Sequence, residues 1–455
     1  MIHKFTMHGT NIVLDVNSGT VHVVDDMTFE IIDELGKPDE EIIEKLSARY
    51  SSEEIREALI ELRGLQAAGQ LMSEDIYEEY LAKNPLYNEG QPIVKALCLH
   101  IAHDCNLRCR YCFASTGDFG TRRTLMPLSV AKKAIDFLIE RSGIRRNLEV
   151  DFFGGEPLLN FDTVKQTVLY ALEREKETGK NFRFTLTTNA VLLNEDHKRF
   201  INEYMGNVVL SLDGRPEVND RMRCRADGRG TYSDILPKIK DMADSRDQDN
   251  YYVRGTFTRE NLDFSKDVLH LADLGFKQVS VEPVVAARET GFDLRHEDLP
   301  VLFREYEELA LEYVKRYSES RGFNFFHFMI DLEQGPCVIK RMKGCGAGHE
   351  YLAVTPEGDL YPCHQFVGMD QFKMGNVNKG FETDVAICDM FRRENIYTKA
   401  ECRKCWARFF CSGGCAANAW QFNNSLDKPY DIGCNLERKR VECALWIKAV
   451  ESDPE

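Results

Sequence analysis

The chain has 455 residues, 43% hydrophobic and 29% charged, with a formal net charge of −16 at pH 7. This is ordinary globular composition, long enough for about two to four domains, and its acidity disfavours nucleic acid or an anionic membrane as a partner. It contains no run of about 18 apolar residues to span a bilayer, and the start Met1-Ile2-His3-Lys4 lacks a signal-peptide core, so a cytoplasmic location is expected.

Residues 1–90 hold 19 acidic and 7 basic residues and no cysteine. The runs Ile12–Val16 and Val21–Val24 flank Asn17-Ser18-Gly19-Thr20, a hairpin signal. Apolar residues at helical spacing follow: Phe29, Ile31, Ile32 and Leu35; Ile42, Ile43 and Leu46; Ile55, Leu59 and Leu62. Ser51 with Glu53 and Glu54 supplies an N-cap and an acidic first turn. Three short strands followed by helices make a winged-helix-like unit. A DNA-binding helix-turn-helix is the alternative, and the unit's excess negative charge opposes phosphate contact.

Residues 91–320 alternate strands and helices. The expected strands are Ile93–Ile101, Leu148–Phe153, Phe182–Thr188, Asn207–Leu212, Tyr251–Thr258 and Gln278–Val284, with helices such as Val130–Arg141 and Asp162–Thr178 between them. This repetition predicts an α/β fold with a parallel sheet. Six units suit a partial (β/α)6 barrel, with chemistry at the C-terminal strand ends. After residue 321 the alternation stops. Residues 321–455 show short strand pairs, Tyr351–Thr355 and Asp359–Tyr361, and few apolar periods, so bonds to metal are expected to replace a missing core.

Fifteen cysteines stand out in a chain expected to occupy a reducing compartment. Four lie between Cys98 and Cys112 and ten between Cys337 and Cys443. Cys105, Cys109 and Cys112 form CxxxCxxC directly after the first barrel strand. Three thiolates can hold three irons of a [4Fe–4S] cluster and leave the fourth open. Zinc with His100 or His103 as fourth ligand is the alternative. Cys98 alternates with the strand pattern and reads as core.

CxxxCxxC with aromatic Tyr111 before the last cysteine, placed after the first strand of a six-unit partial barrel, resembles the radical S-adenosylmethionine (radical SAM) superfamily. Gly154-Gly155-Glu156-Pro157 resembles the family's GGEP motif, which implies contact with the methionyl amino group of SAM. By the same resemblance Thr187, Asn189, Ser211 and Asp213 reach the ribose and methionine moieties, and Arg221 or Arg223, of which Arg223 is favoured, pairs the SAM carboxylate. Cys345-x12-Gly358-x4-Cys363, Cys402-x2-Cys405-x5-Cys411-x3-Cys415 and Cys434 resemble the SPASM domain. This implies two auxiliary [4Fe–4S] clusters, three in all: Cys402, Cys405, Cys411 and Cys434 on the distal one, Cys345, Cys363 and Cys415 on the proximal one. The proximal cluster is then one ligand short, with Cys337 and Cys388 as spare cysteines and an open iron as the favoured reading. Cys224, Cys388 and Cys443 read as ordinary thiols.

The N-terminal unit resembles the PqqD-like leader-binding domain of peptide maturases, which adds an extended leader as an edge strand. The three units together resemble the thioether-forming sactisynthases, most of all those acting on SCIFF precursors. The resemblance implies a Cys-rich peptide substrate bound through its leader, a bond from cysteine sulfur to an acceptor carbon (Thr is expected), and a flavodoxin or ferredoxin as reductant. Sulfatase-type oxidation of Cys or Ser to formylglycine is the rival activity, and a non-catalytic zinc-bound regulator the rival from another class.

Overall fold

The computed structural model describes residues 1–83, 92–285, 290–332 and 338–452. Cys337 and most of the expected junction between the first two units lie outside them.

The N-terminal unit is a three-stranded antiparallel sheet, β1 (Ile2–Met7), β2 (Thr10–Asp15) and β3 (Val21–Val24), in that order, with helices Asp26–Glu34, Asp39–Leu46 and Ser52–Ala67 behind it. The β2–β3 turn falls where expected. Gly19 takes φ +78° and its N–H donates to Asp15 O at 2.8 Å, a left-handed position that glycine adopts at little cost. Ser51 closes a full capping box with Glu54. The helical stripe of Ile31, Ile42 and Ile55 is wholly buried against Val13.

The barrel strands are β4 (Ala96–His103), a short antiparallel β5 (Thr124–Leu125) beside it, β6 (Asn147–Gly154), β7 (Asn181–Thr188), β8 (Met205–Ser211), β9 (Tyr251–Phe257) and β10 (Gln278–Pro283). The six expected strands are β4 and β6 to β10, and they pair in parallel in chain order. Every residue of β4 is buried, as for a parallel strand covered on both faces.

The sheet extends beyond six strands at both edges. A two-residue β11 (Asn324–Phe325) pairs in parallel with β10. On the other side β12 (Tyr351–Val354) pairs in parallel with β4, from Tyr351 opposite Ala96 to Val354 opposite Leu99. From there β13 (Asp359–Tyr361) and β14 (Gly375–Asn376) continue antiparallel. The C-terminal segment therefore shares the barrel's sheet and core rather than depending on metal alone. Leu352, Ala353, Val354 and Leu360 are wholly buried in the barrel's own hydrophobic cluster. The physical reason is the open edge of a partial barrel: β4 would otherwise present unpaired backbone groups, and a four-residue run satisfies them.

The N-terminal unit is also anchored. Leu14 and Val16 pack on Val441 and Leu445 of the C-terminal helix Asp431–Ser452. Arg408, 5% exposed, donates to Asn17 Oδ1 at 2.7 Å and Asp75 Oδ2 at 2.8 Å. The rings of His3 and Trp406 stack with centroids 3.6 Å apart. Among the described residues no helix is long and apolar enough to cross a membrane.

Candidate active site

The cysteine loop after β4 is fastened by the segment that follows β8. Arg108 N–H donates to Cys224 O at 2.7 Å, Arg110 N–H to Met222 O at 3.0 Å, and Leu107 bridges Arg225. The Cys224 thiol donates to Arg108 O at 3.2 Å, so this cysteine helps to hold the loop.

Gly154 and Gly155 line the cavity and also permit a close backbone approach within the fold. A Cβ on Gly154, where φ is +122°, would stand 2.4 Å from Ala102 O, and one on Gly155 would stand 2.1 Å from Asp104 O. The glycines let the end of β6 lie directly on the start of the cysteine loop. Gly155 N–H donates to Ala102 O at 2.7 Å and Glu156 N–H to Asp104 O at 2.9 Å. Gly155→Ala must push the loop away from β6. The expected result is loss of about four irons per chain, one cluster, with the remaining iron retained, read by iron analysis of the reconstituted protein.

A cavity of about 220 Å³ opens over the strand ends. Cys105, Cys109, Tyr111, Cys112, Gly154, Gly155, Glu156, Thr187, Asn189, Ser211 and Arg223 all line it. Asp213 does not. It is wholly buried and organises the wall from behind: it accepts from Arg223 Nε at 2.9 Å, from the Tyr111 hydroxyl at 2.8 Å and from Thr256 N–H at 3.0 Å. The Arg223 guanidinium lies 5.6 Å from the Tyr111 ring centroid. Asp213 is a positioning residue, and the Nε of Arg223 is committed to it. Removing one partner of such a buried pair costs about 3–5 kcal/mol, so this pair fixes Tyr111 and the cysteine loop to β8.

Glu156 is likewise built into the fold. Its carboxylate is fully buried, with Oε1 accepting from Leu158 N–H at 3.0 Å and the Thr188 hydroxyl at 2.8 Å, and Oε2 from Asn189 N–H at 2.8 Å. It straps the end of β6 to the end of β7. Burial raises its pKa to about 7 against the pull of those donors. Asn189 in turn points its amide at Asn106 Oδ1, 2.8 Å away, and at Cys105 Sγ, 3.6 Å away.

Sequence reasoning missed part of the wall. Arg254 and Glu282 face each other across β9 and β10 as a bidentate pair at 3.0 and 2.8 Å and line the cavity. The period-2 pattern Tyr252, Arg254, Thr256 on β9 carried that signal. His364 lines the same cavity, with its ring 5.6 Å from Phe113. It neighbours Cys363, so the C-terminal segment reaches the barrel site.

The cysteines assemble into three separate groups. Burial raises the Cys105 thiol to about 11 and Cys109 to about 12, and both also feel Cys112. Cys363 is raised by burial and then by Cys415 and Cys345. Cys434 is pushed to about 12 by burial and then by Cys402 and, more weakly, Cys405; Cys411 responds to all three of these neighbours. The last four thiols line one cavity of about 430 Å³. Ser412, Gly413 and Gly414 all take positive φ (59°, 88° and 75°). This left-handed turn sends Cys411 and Cys415 into different groups despite their short spacing.

These donors fit iron–sulfur clusters: each group is a set of thiols that metal binding would deprotonate. Among the described residues no three Cys, His, Asp or Glu side chains converge on a single metal ion. A cubane cluster takes one thiolate per iron, which is the donor type that each set offers. His100 and His103 are fully buried and occupied otherwise, His100 Nδ1 with His103 Nε2 at 3.0 Å and His103 Nδ1 with Thr121 at 2.9 Å. Cys98, Cys388 and Cys443 are buried free thiols.

Comparison with known proteins agrees with this geometry. Residues 99–266 match the radical SAM superfamily, and residues 345–406 match SPASM, an iron–sulfur cluster-binding domain. A cysteine-type anaerobic sulfatase-maturating enzyme of Clostridium novyi is 23% identical over 332 residues, 69% of this chain and 86% of that protein. The structure of anSMEcpe with bound AdoMet aligns with a TM-score of 0.64 at 19% identity, over 79% of this chain and 100% of that one. Streptococcus suis SuiB bound to S-adenosylmethionine aligns with a TM-score of 0.51 at 19% identity, over 95% of this chain and 98% of SuiB. Coverage of 95% requires the N-terminal unit, since residues 91–455 make up only about four-fifths of the chain. Both matched domains are of the kind that carries [4Fe–4S] clusters. The chain is an α/β protein with a radical SAM domain and a C-terminal SPASM iron–sulfur domain.

Proposed function

We propose that this protein is a peptide maturase that joins a cysteine sulfur to an acceptor carbon, expected to be that of a Thr, within a ribosomally made, Cys-rich precursor of the SCIFF type. The observation that carries the reading is the placement of the proximal thiols. Cys345 and Cys415 are exposed, and Cys363 leads straight into His364 on the wall of the barrel cavity. Three thiols leave one iron of a cubane for a substrate cysteine. SuiB bound to precursor peptide SuiA, aligned with a TM-score of 0.50, and anSMEcpe with Kp18Cys peptide, at 0.63, support a peptide substrate.

When bound, S-adenosylmethionine and the cluster on Cys105, Cys109 and Cys112 supply the radical that removes hydrogen from the acceptor carbon. The chain's own residues set the stage. Thr187, Asn189, Ser211 and Arg223 offer polar groups to the cofactor, Glu156 and Asp213 hold those strand ends in place, and Phe113 and Phe153 add an aromatic face to the cavity. The edge strand β3, with Val23 half exposed, is the expected seat of the leader. A flavodoxin or ferredoxin is the expected electron donor.

Formylglycine formation is the second reading, favoured by the Clostridium novyi relative. A titration separates substrate ligation from mere proximity. Adding a Cys-containing core peptide to the reconstituted protein is expected to perturb the auxiliary-cluster spectrum, and the same peptide with Cys→Ser is not. Equal spectra with both peptides would rule out ligation by the substrate.

A further inference from the structure

One buried cation lies between the two auxiliary cysteine groups. Lys399 is 3% exposed. Its backbone caps the short helix Ala400–Arg403 that carries Cys402 of the distal group. Its Nζ donates to Gly413 O at 3.2 Å, within the left-handed turn that separates Cys411 of the distal group from Cys415 of the proximal one. It also lines a small cavity together with Cys345. Its charge is the leading electrostatic influence on the Cys402 thiol and a minor one on Cys415, lowering the pKa of both against the rise from burial. The counter-charge is Glu394, 3.6 Å away, whose carboxyl interacts with Asp427 as well.

A loop strap would not need an ammonium here. A backbone carbonyl can be satisfied by a neutral donor, and burying a charge costs several kcal/mol per ion unless the surroundings use it. Thiolate-ligated clusters are anionic, and one-electron reduction adds a further negative charge. A fixed cation in a low-dielectric interior stabilises the reduced form, and potentials of such clusters respond to local charge.

We propose that Lys399 is a positioning residue that raises the reduction potentials of both auxiliary clusters and so favours their acceptance of the electron released when the new bond forms in the substrate. The effect on potential rests on the assignment of the two cysteine groups to clusters and not on the thioether reading. Its test is therefore independent of which product the enzyme makes.

The test is an EPR-monitored redox titration of the full chain in a Cys105→Ala/Cys109→Ala/Cys112→Ala background, where only auxiliary clusters remain. Lys399→Met is expected to lower the reduction equilibrium constant of each auxiliary cluster about tenfold. That is a midpoint about 59 mV more negative for a one-electron couple. Lys399→Arg, which keeps the charge, is expected to restore most of the shift. Full iron content with unchanged potentials in Lys399→Met would overturn the proposal. If Lys399→Met instead loses iron, Glu394→Gln decides the matter at pH 8. Removing the counter-charge is expected to move the potentials positive, and no movement overturns the proposal.

Discussion

Replacing Cys105, Cys109 and Cys112 together with alanine is expected to abolish S-adenosylmethionine cleavage and leave about eight irons per chain, two [4Fe–4S] clusters. The physical basis is separation. These three thiols stand in the barrel cavity, while the other two groups are held by the C-terminal segment through its own turns and the long helix Asp431–Ser452. Iron analysis and detection of 5′-deoxyadenosine read the two effects. Loss of all iron would contradict the division into three independent groups.

The second large effect concerns the proximal group. Cys363→Ala is expected to remove about four irons and all product, because it deletes one of the three thiols proposed to hold that cluster. Cys337→Ala is expected to keep both. Cys363 is the buried member of the trio, fixed between β13 and the turn that carries His364 into the barrel cavity. If Cys337→Ala loses a cluster, Cys337 is the fourth ligand and the substrate thiol binds elsewhere.

The barrel was legible because its strands are short apolar runs set at regular intervals between helices of 3.6-residue period. Each of the six expected strands was found within about three residues of its predicted bounds. The cysteine groups were legible through the resemblance to the radical SAM and SPASM motifs, since spacing alone would have put Cys411 and Cys415 together. Other features had no local sequence signal. Tyr351–Val354 reads as an isolated hairpin strand, and nothing in four residues says that it pairs with β4 some 250 positions earlier in the chain. The docking of Leu14 and Val16 on Val441 and Leu445 is likewise a long-range fit between two apolar faces. It also means that residues 1–90 cannot be removed as a free module, since the C-terminal helix would lose its cover. The inward hydrogen bonds of Asp213 and Glu156 had no signal in the sequence. A carboxylate at a strand end can face a ligand or turn inward to tie neighbouring strands, and only the partners Arg223, Tyr111, Thr188 and Asn189 decide between the two.

The central claim is formation of a sulfur-to-carbon bond in a peptide, and mass spectrometry of a product tests it most directly. The substrate is a small Cys-rich peptide of the SCIFF type, co-expressed with this chain and recovered under anaerobic conditions. Each crosslink is predicted to remove two hydrogens from the peptide, retain every sulfur atom, and leave one cysteine that no longer reacts with an alkylating reagent, with fragmentation linking that sulfur to the acceptor residue. A product that has lost sulfur and gained an aldehyde, or a peptide recovered unchanged while S-adenosylmethionine is consumed, would contradict the account.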